Sequence, residues 1–598
     1  MRPQLLLCCA LLCLLLQVCA LLLRTANGHI HHDSAYLPVI AREADAGPSS
    51  SPCARLLCSL QQAITLRLVA EPLWCYDGYR QLRSSWDARY LIDRVLMQAG
   101  YHQPSHLAGT DYSDHVRVAG LPPLVIMPNY WSPGAEDWRT IRLQPFQKIN
   151  RVWGMEGISR KDRLVQTLNS SGVAGGVLMP TSFLWRQLRR TSDWQVMLAA
   201  QPTWVLKSTS HRGVGVRVVT IRELRLAELG EGAPEIRSIL KRPDAVLQQV
   251  ISNPLLVNGR KLSLRLYSLI TSTDPLCVYL YNDGFALFSF DKYDAVGMAH
   301  YGFVTNAFVS RQRAEQMKLP SHESTLRDSE LSDEARAARG LGIDLPPHTL
   351  RWSFRQLMRF LGLRQNEAVV ARITIAIRRL VLQTWLSARS QLLRSARESL
   401  ASLGLQGPHE YGHTFELAGF DLIIDDALKP WLIEINTTPS LKLDTSAQDL
   451  GIKQQMVTDL FKLVDVLPDA HPPPESALCA LLEANDNFPQ GDCYRHWKLS
   501  GCSACPTVSE VAHLARIAAE HRRRGGFEPL SPSFDSELQA LTRASHPDLK
   551  LQKHLGRKQR PLLDELALDW LSAPLNKAHT CDSHACVSAK WSSMLCPM

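Results

Sequence analysis

Glu434 and Asn436 stand two residues apart in KPWLIEINTTPSL, Lys429 to Leu441, inside a run that otherwise reads as an apolar strand. Strand side chains alternate faces, so Leu432, Glu434 and Asn436 are expected on one side and Trp431, Ile433 and Ile435 on the other. Burying a carboxylate and a carboxamide is costly unless something satisfies them. The preceding run, Phe415 to Ile424, joined through the polar DDALK, predicts a hairpin. A turn centred between Ala427 and Leu428 sets Asp421 directly opposite Glu434. Asp421, Glu434 and Asn436 then present three hard oxygen donors on one face. Such a set suits Mg2+, which binds through one or two carboxylates and keeps waters for substrate phosphates. A hairpin whose polar face meets solvent is the plainer alternative.

Two further stretches carry basic chemistry. In WVLKSTSHRGVGVRVV, Trp204 to Val219, a strand delivers Lys207 into a loop holding Arg212, Gly213 and Gly215. Glycines there let backbone amides approach phosphate oxygens, although the spacing fits neither a Walker loop nor a dinucleotide turn. In QQVISNPLLVNGRKLSLRLYSLI, Gln248 to Ile270, Lys261, Ser263, Arg265 and Tyr267 share one strand face, opposite Leu262, Leu264 and Leu266. That face could neutralise a polyphosphate or an acyl phosphate, or be simply an exposed amphipathic strand.

The elements that must position these groups follow from the patterning. Strands dominate from Trp204 to Phe290, residues 311–350 read as charged loop, and Asn366 to Leu400, free of Gly and Pro, reads as one or two long helices. Strand and helix signals mix irregularly, which predicts an α+β arrangement. The 598 residues, 45% hydrophobic and 21% charged, describe a folded globular chain and exclude wholesale disorder. A net charge of +9 favours acidic partners. Leu5 to Leu23 forms an apolar run, flanked by Arg2 and Arg24, that reads as a secretory leader or a membrane anchor. Of 15 cysteines, seven follow residue 470, including the CxxC of Cys502 and Cys505, and their pairing is not readable from spacing. The expected divisions are 1–28 leader or anchor, 29–72 flexible stalk, 73–192 an N-terminal α/β region, 193–310 a central lobe, 311–467 a C-terminal lobe with a helical insert, and 468–598 a cysteine-containing region.

Taken in order, INRVWGMEGISRKDRL, WVLKSTSHRGVGV, QQVISNPLLVNGRKLSLRLY, VYLYNDGFALFSF, FVTN and FELAGFDLIIDDALKPWLIEINTTPSL resemble the tubulin-tyrosine-ligase-like family on an ATP-grasp fold, from about Lys148 to Leu463. The resemblance implies ATP and Mg2+ clamped between β-containing lobes, and an amino acid joined to a protein carboxylate through an amide. It implies that Lys161 and Lys207 contact phosphates, with Arg212, Gly213 and Gly215 in the nucleotide loop. Gln248 and Ile251 would line the adenine pocket, and Thr305 and Asn306 would lie near the nucleotide. Lys261 and Arg265 would be catalytic, facing nucleotide and acyl phosphate, and Asp421, Glu434 and Asn436 would hold the metal.

The chain departs from the family's pattern at Gln249–Val250, at Ser263, at Leu287 where an arginine is usual, and at Phe303 in FVTN. The expected activity is glutamylation of an acidic protein such as a tubulin tail, with no nucleic acid as partner. The alternatives are a nucleotide-binding module that has lost ligation, and a ligase for a non-tubulin or small-molecule acceptor in the secretory pathway. A leader would place the chain in the secretory pathway or on a membrane through residues 5–23, whereas a cytosol-facing catalytic region would associate with the cytoskeleton. Asn169 and Asn436 both match the glycosylation pattern, and only Asn169 is expected to be accessible.

Overall fold

The computed structural model describes residues 148–171, 177–199, 201–208, 215–294, 305, 332–346, 349–402, 414–437, 439–441 and 447–467. Nearer the C-terminus it describes 513, 516–517, 519–533 and 536–544, and before residue 148 it describes 73–76, 91–92, 95–96, 98 and 124–127. The leader, the stalk, the CxxC and the other cysteines after residue 470 lie outside the described residues. Among the described residues no helix is long and apolar enough to cross a membrane.

Three sheets organise the chain. Strands β1 (Leu73–Tyr76), β2 (Leu124–Met127) and β3 (Lys148–Ile149) pair in parallel. Beyond β3, Arg151 donates to the fully buried Glu416 at 2.9 Å, and the Val152 amide donates to the same carboxylate at 2.9 Å. This buried pair ties the N-terminal region to the middle of the chain, and helix α1 (Lys161–Ser170) follows it.

The second sheet is antiparallel, in the order β4 (Ser182–Leu184), β7 (Val246–Gln249), β5 (Thr203–Lys207), β6 (Val216–Thr220). One face buries Trp204, Leu206, Val219 and Leu247 against short helices bearing Trp185, Trp194 and Leu224. Strand β6 stops at Thr220 because its hydroxyl and Glu223 form a reciprocal capping box that starts a helix at Ile221.

The third sheet has seven strands. β8 (Leu256–Val257) pairs with β9 (Arg260–Thr273), and the main order is β11 (Arg351–Ser353), β10 (Leu276–Phe288), β9, β12 (Glu416–Ile424), β13 (Pro430–Asn436). Strand β14 (Phe527–Ser531) also pairs with β10. Leu262, Leu264, Leu266, Phe288, Phe420 and Leu422 face one core, backed by helix α2 (Glu367–Ser402), one unbroken helix of 36 residues. Ile373, Ile377, Leu380, Trp385, Leu392 and Ala396 give α2 its buried stripe.

Several expectations change here. Strand β9, assigned by sequence with β10 to the central lobe, is hydrogen-bonded to β12 on one side and to β10 on the other, so both join the large sheet, and the change from the small sheet to the large one falls near residue 250 and not near 310. Strand β4, expected in the N-terminal region, completes the small sheet. Residues Asp333–Gly340, read as loop, form a helix capped by the Ser332 hydroxyl. The region after 467 is not separate from the large sheet, because β14 is one of its strands.

Candidate active site

The hairpin of β12 and β13 forms as expected, with Asp421 opposite Glu434 and Gly419 opposite Asn436. The strict alternation does not hold along β13. Leu422 pairs with Leu432, so Ile433 is an extra residue, and Leu432 turns into the core together with Ile435. Glu434 and Asn436 remain on the opposite, site-forming face, which is continuous with Arg265 of β9 through Asp421.

Arg265 grips the Asp421 carboxylate with a two-pronged fork, its second nitrogen donating at 2.8 Å. The Asn436 amide donates to the same carboxylate at 3.2 Å. Lys161, the first residue of α1, places its Nζ 3.3 Å from a Glu434 oxygen. Gly419 makes this packing feasible: a Cβ there would stand 3.0 Å from Pro439 and 3.2 Å from the Arg265 side chain.

From the small sheet, buried Lys207 donates to Gln248 at 2.5 Å, and Gln248 donates to Ser182 at 2.9 Å. Gln248 therefore orients Lys207. Burial pushes Lys207 down to about 8, with Lys161 acting the same way and Glu434 and Asp421 against it. Lys261, also buried, is pushed down to about 7 by burial and by Lys207, and its Nζ stands 5.9 Å from the Tyr293 ring centroid. The Tyr293 hydroxyl donates to the carbonyl of Ser252 at 3.0 Å, with that of Ile251 3.5 Å away, so Ile251 sits beside this aromatic lid of Lys261.

Asp421 and Glu434 are driven apart. Burial raises the Asp421 carboxyl, and Glu434 adds to this against the pull of Arg265. Burial also opposes ionisation of Glu434, but Lys161, Lys207 and Arg265 outweigh it and hold Glu434 low. Among the described residues no group of three His, Cys, Asp or Glu side chains gathers around a point. The candidate donors are two carboxylates and a carboxamide, which fit a hard divalent cation that retains waters.

The structure thus brings together Lys161, Lys207, Gln248, Lys261, Arg265, Asp421, Glu434 and Asn436 from two sheets and one helix. Gly215 precedes β6 at a φ of +86°, a left-handed conformation that glycine adopts freely. Thr305 is half-buried, whereas Arg212, Gly213 and Asn306 lie outside the described residues. Ser182 and Tyr293 join the site without any local signature: one is a serine at a strand start, the other an aromatic in a connecting segment.

The chain matches the tubulin-tyrosine ligase family over residues 139–339 and 351–474. It is 26% identical over 488 residues to the tubulin polyglutamylase TTLL5 of Homo sapiens, covering 77% of this chain and 33% of that protein. It is 29% identical over 343 residues to the tubulin monoglutamylase TTLL4 of Homo sapiens, covering 56% of this chain and 24% of the relative. Against the probable tubulin polyglutamylase TTLL2 of Mus musculus it is 26% identical, over 54% of this chain and 52% of the relative. The chain thus spans about a third of the length of TTLL5. Antiparallel sheets within an α+β architecture agree with the ATP-grasp fold that the resemblance implied.

Proposed function

This chain belongs to the tubulin-tyrosine ligase family, and from that premise we propose that it is an ATP-dependent ligase joining glutamate to a carboxylate of an acidic protein, such as a tubulin tail. The observation that carries the reading is the sheet face bearing Asp421, Glu434, Asn436 and Arg265, which Lys161 meets from α1, with Lys207 of the small sheet within electrostatic reach of Glu434.

Asp421, Glu434 and Asn436 would hold Mg2+, which when bound supplies positive charge to a transferring phosphoryl group. Lys207 and Lys261 would hold phosphate oxygens. Both are destabilised as cations by burial, so a polyanion relieves an existing cost. Ser182 and Gln248 fix the direction of Lys207 before any ligand arrives. Arg265, locked by Asp421, presents a fixed positive edge where charge would develop on an activated carboxylate. The net charge of +9 favours encounter with an acidic tail.

Incubation of the purified chain with ATP, Mg2+, labelled glutamate or glycine and candidate acceptors, tubulin included, tests the reading. Label is expected on the acceptor with matching ADP release; nucleotide binding without ADP release for every acceptor ends it. That second outcome, nucleotide binding alone, is favoured by one observation: Leu287 and Ser263 pair on the site face, where charged groups would otherwise stand.

A further inference from the structure

The two ends of the β12–β13 hairpin keep different registers. Nearest the turn, Ile424 pairs with Pro430, Ile423 with Trp431 and Leu422 with Leu432; past Ile433, Asp421 pairs with Glu434 and Gly419 with Asn436. Paired residues share a face, and a slip of one residue moves a strand's side chains to the other face. If the turn's register ran on without the extra residue, Glu434 would oppose the core residue Phe420 and leave Asp421. If the site's register ran back to the turn, Trp431 would oppose Ile424, also in the core, and Ile433 would displace Leu432. The bulged hairpin alone sets Trp431 and Glu434 on one face while Leu432 and Ile435 stay buried.

Asp425 selects that arrangement. Its Oδ2 accepts from the Trp431 ring N–H at 2.8 Å. This bond requires Trp431 on the side of Ile423, because Asp425, two residues further along, shares that side. Its Oδ1 accepts from the Lys429 amide at 2.8 Å, its carbonyl accepts from the Leu428 amide at 2.9 Å, and its own amide donates to the Lys429 carbonyl at 3.0 Å. The loop therefore closes over three residues, Asp426 to Leu428. Leu428 stands at a φ of +67°, a left-handed conformation costly for leucine, and its packing against the core offsets that cost. The Lys429 Nζ lies 3.4 Å from the Trp431 ring centroid.

Neighbouring segments hold the same turn from outside. The Leu255 amide donates to the Ile424 carbonyl at 2.8 Å, the Asp426 amide to Asn253 at 2.9 Å, and the Leu432 amide to Leu178 at 2.8 Å. These backbone bonds fix where the hairpin lies. The carboxylate of Asp425 adds the one side-chain bond that distinguishes the registers, and it acts on Glu434 only through them.

We propose that Asp425 is a positioning residue for the divalent cation: by gripping Trp431 and the Lys429 amide it keeps Ile433 as the extra residue and so holds Glu434 in one aim beside Asp421. The proposal rests on the ligase reading for the role of Asp421, Glu434 and Asn436 as metal ligands. Without the grip, the hairpin exchanges among its registers.

Mn2+, a spin-visible substitute for Mg2+, is titrated into the full chain with a non-hydrolysable ATP analogue present, and the bound ion is read by electron paramagnetic resonance. Asp425→Ala is expected to weaken Mn2+ about tenfold, and Asp425→Asn, whose single carbonyl oxygen keeps one of the two bonds, about threefold. Amide hydrogen exchange on the same proteins locates the effect. Peptides covering residues 427–436 should exchange faster in Asp425→Ala, with β9 and β10 protected as in wild type. If Asp425→Ala does not fold, Asp425→Asn decides by the same two readings. Unchanged Mn2+ affinity, or faster exchange spread evenly over the large sheet, overturns the proposal. Amide formation from ATP and labelled glutamate is followed in wild type in parallel. Weakened Mn2+ in the variants with no amide product from wild type sinks the ligase reading alone, whereas amide product with unchanged Mn2+ in the variants sinks the positioning role alone.

Discussion

Asp421 is held between the Arg265 fork and the Asn436 amide, while Glu434 faces Lys161, so two neighbouring carboxyls have different partners. Glu434→Gln keeps the shape and removes the charge. It is expected to cut ligation about 10²–10³-fold while leaving thermal stability close to wild type, checked by ADP release and a melting curve. Lys261 gives a pH prediction. Its ammonium is depressed to about 7 from the ordinary 10.5 by burial, and a polyphosphate favours the cation. Nucleotide binding at about pH 8.5 should therefore take up protons and weaken as pH rises through 7 and beyond, visible as a dependence of binding heat on the buffer's ionisation enthalpy. With no ligand, the unfolded lysine holds its proton up to 10.5 and the folded one does not. This group thus makes the folded state gain stability as pH rises from about 7 to about 10.5.

At the scale of elements, the hairpin places the candidate ligands and helix α2 keeps the hairpin in place. Trp385 of α2 donates to the Ser268 hydroxyl at 3.0 Å and meets Phe420 at 5.9 Å between ring centroids. Phe420 immediately precedes Asp421, so the packing behind the sheet reaches the site through one peptide. Trp385→Ala should destabilise the chain by about 3–5 kcal/mol, read from the midpoint of urea unfolding. The pairing of Asp421 with Glu434 came out as the sequence reading placed it, although the pairs nearest the turn are centred on Ala427 and it is the extra Ile433 that brings Glu434 opposite Asp421. The bulge at Ile433 was not legible, since nothing in LIEIN marks an extra residue, and it is the core's demand for both Leu432 and Ile435 that reveals it.

For the whole molecule, the family match ends at residue 474, yet the seven-stranded sheet does not. Strand β14 shares the outer edge of β10 with β11, and buried Glu520 accepts from Thr271 at 2.7 Å and Arg516 at 3.2 Å. A chain ending at 474 should therefore melt well below one ending at 545, and be cut faster in limited proteolysis. Asn169, at the end of α1, is exposed, whereas Asn436 is half-buried against Asp421. If the chain acts on a tubulin tail, Asn169 is expected to carry no sugar. Mass analysis of that peptide checks it, and a glycan there would place the domain in the secretory lumen, away from tubulin.

By itself the sequence determined the local matters: strand alternation in β9, the presence of the β12–β13 hairpin, the helical character of the run that became α2, and the oxygen donors on the hairpin. These follow from period, turn chemistry and side-chain type, which act over a few residues. Only the tertiary structure decided that β9 and β10 belong with β12, that Gln248 is engaged with Lys207 and Ser182, and that Arg351 stands opposite Leu287. It also decided that residues beyond 510 complete the sheet. Each of these depends on which backbone edges pair across tens or hundreds of residues, a choice made by the packing of both sheet faces at once and written in no single segment.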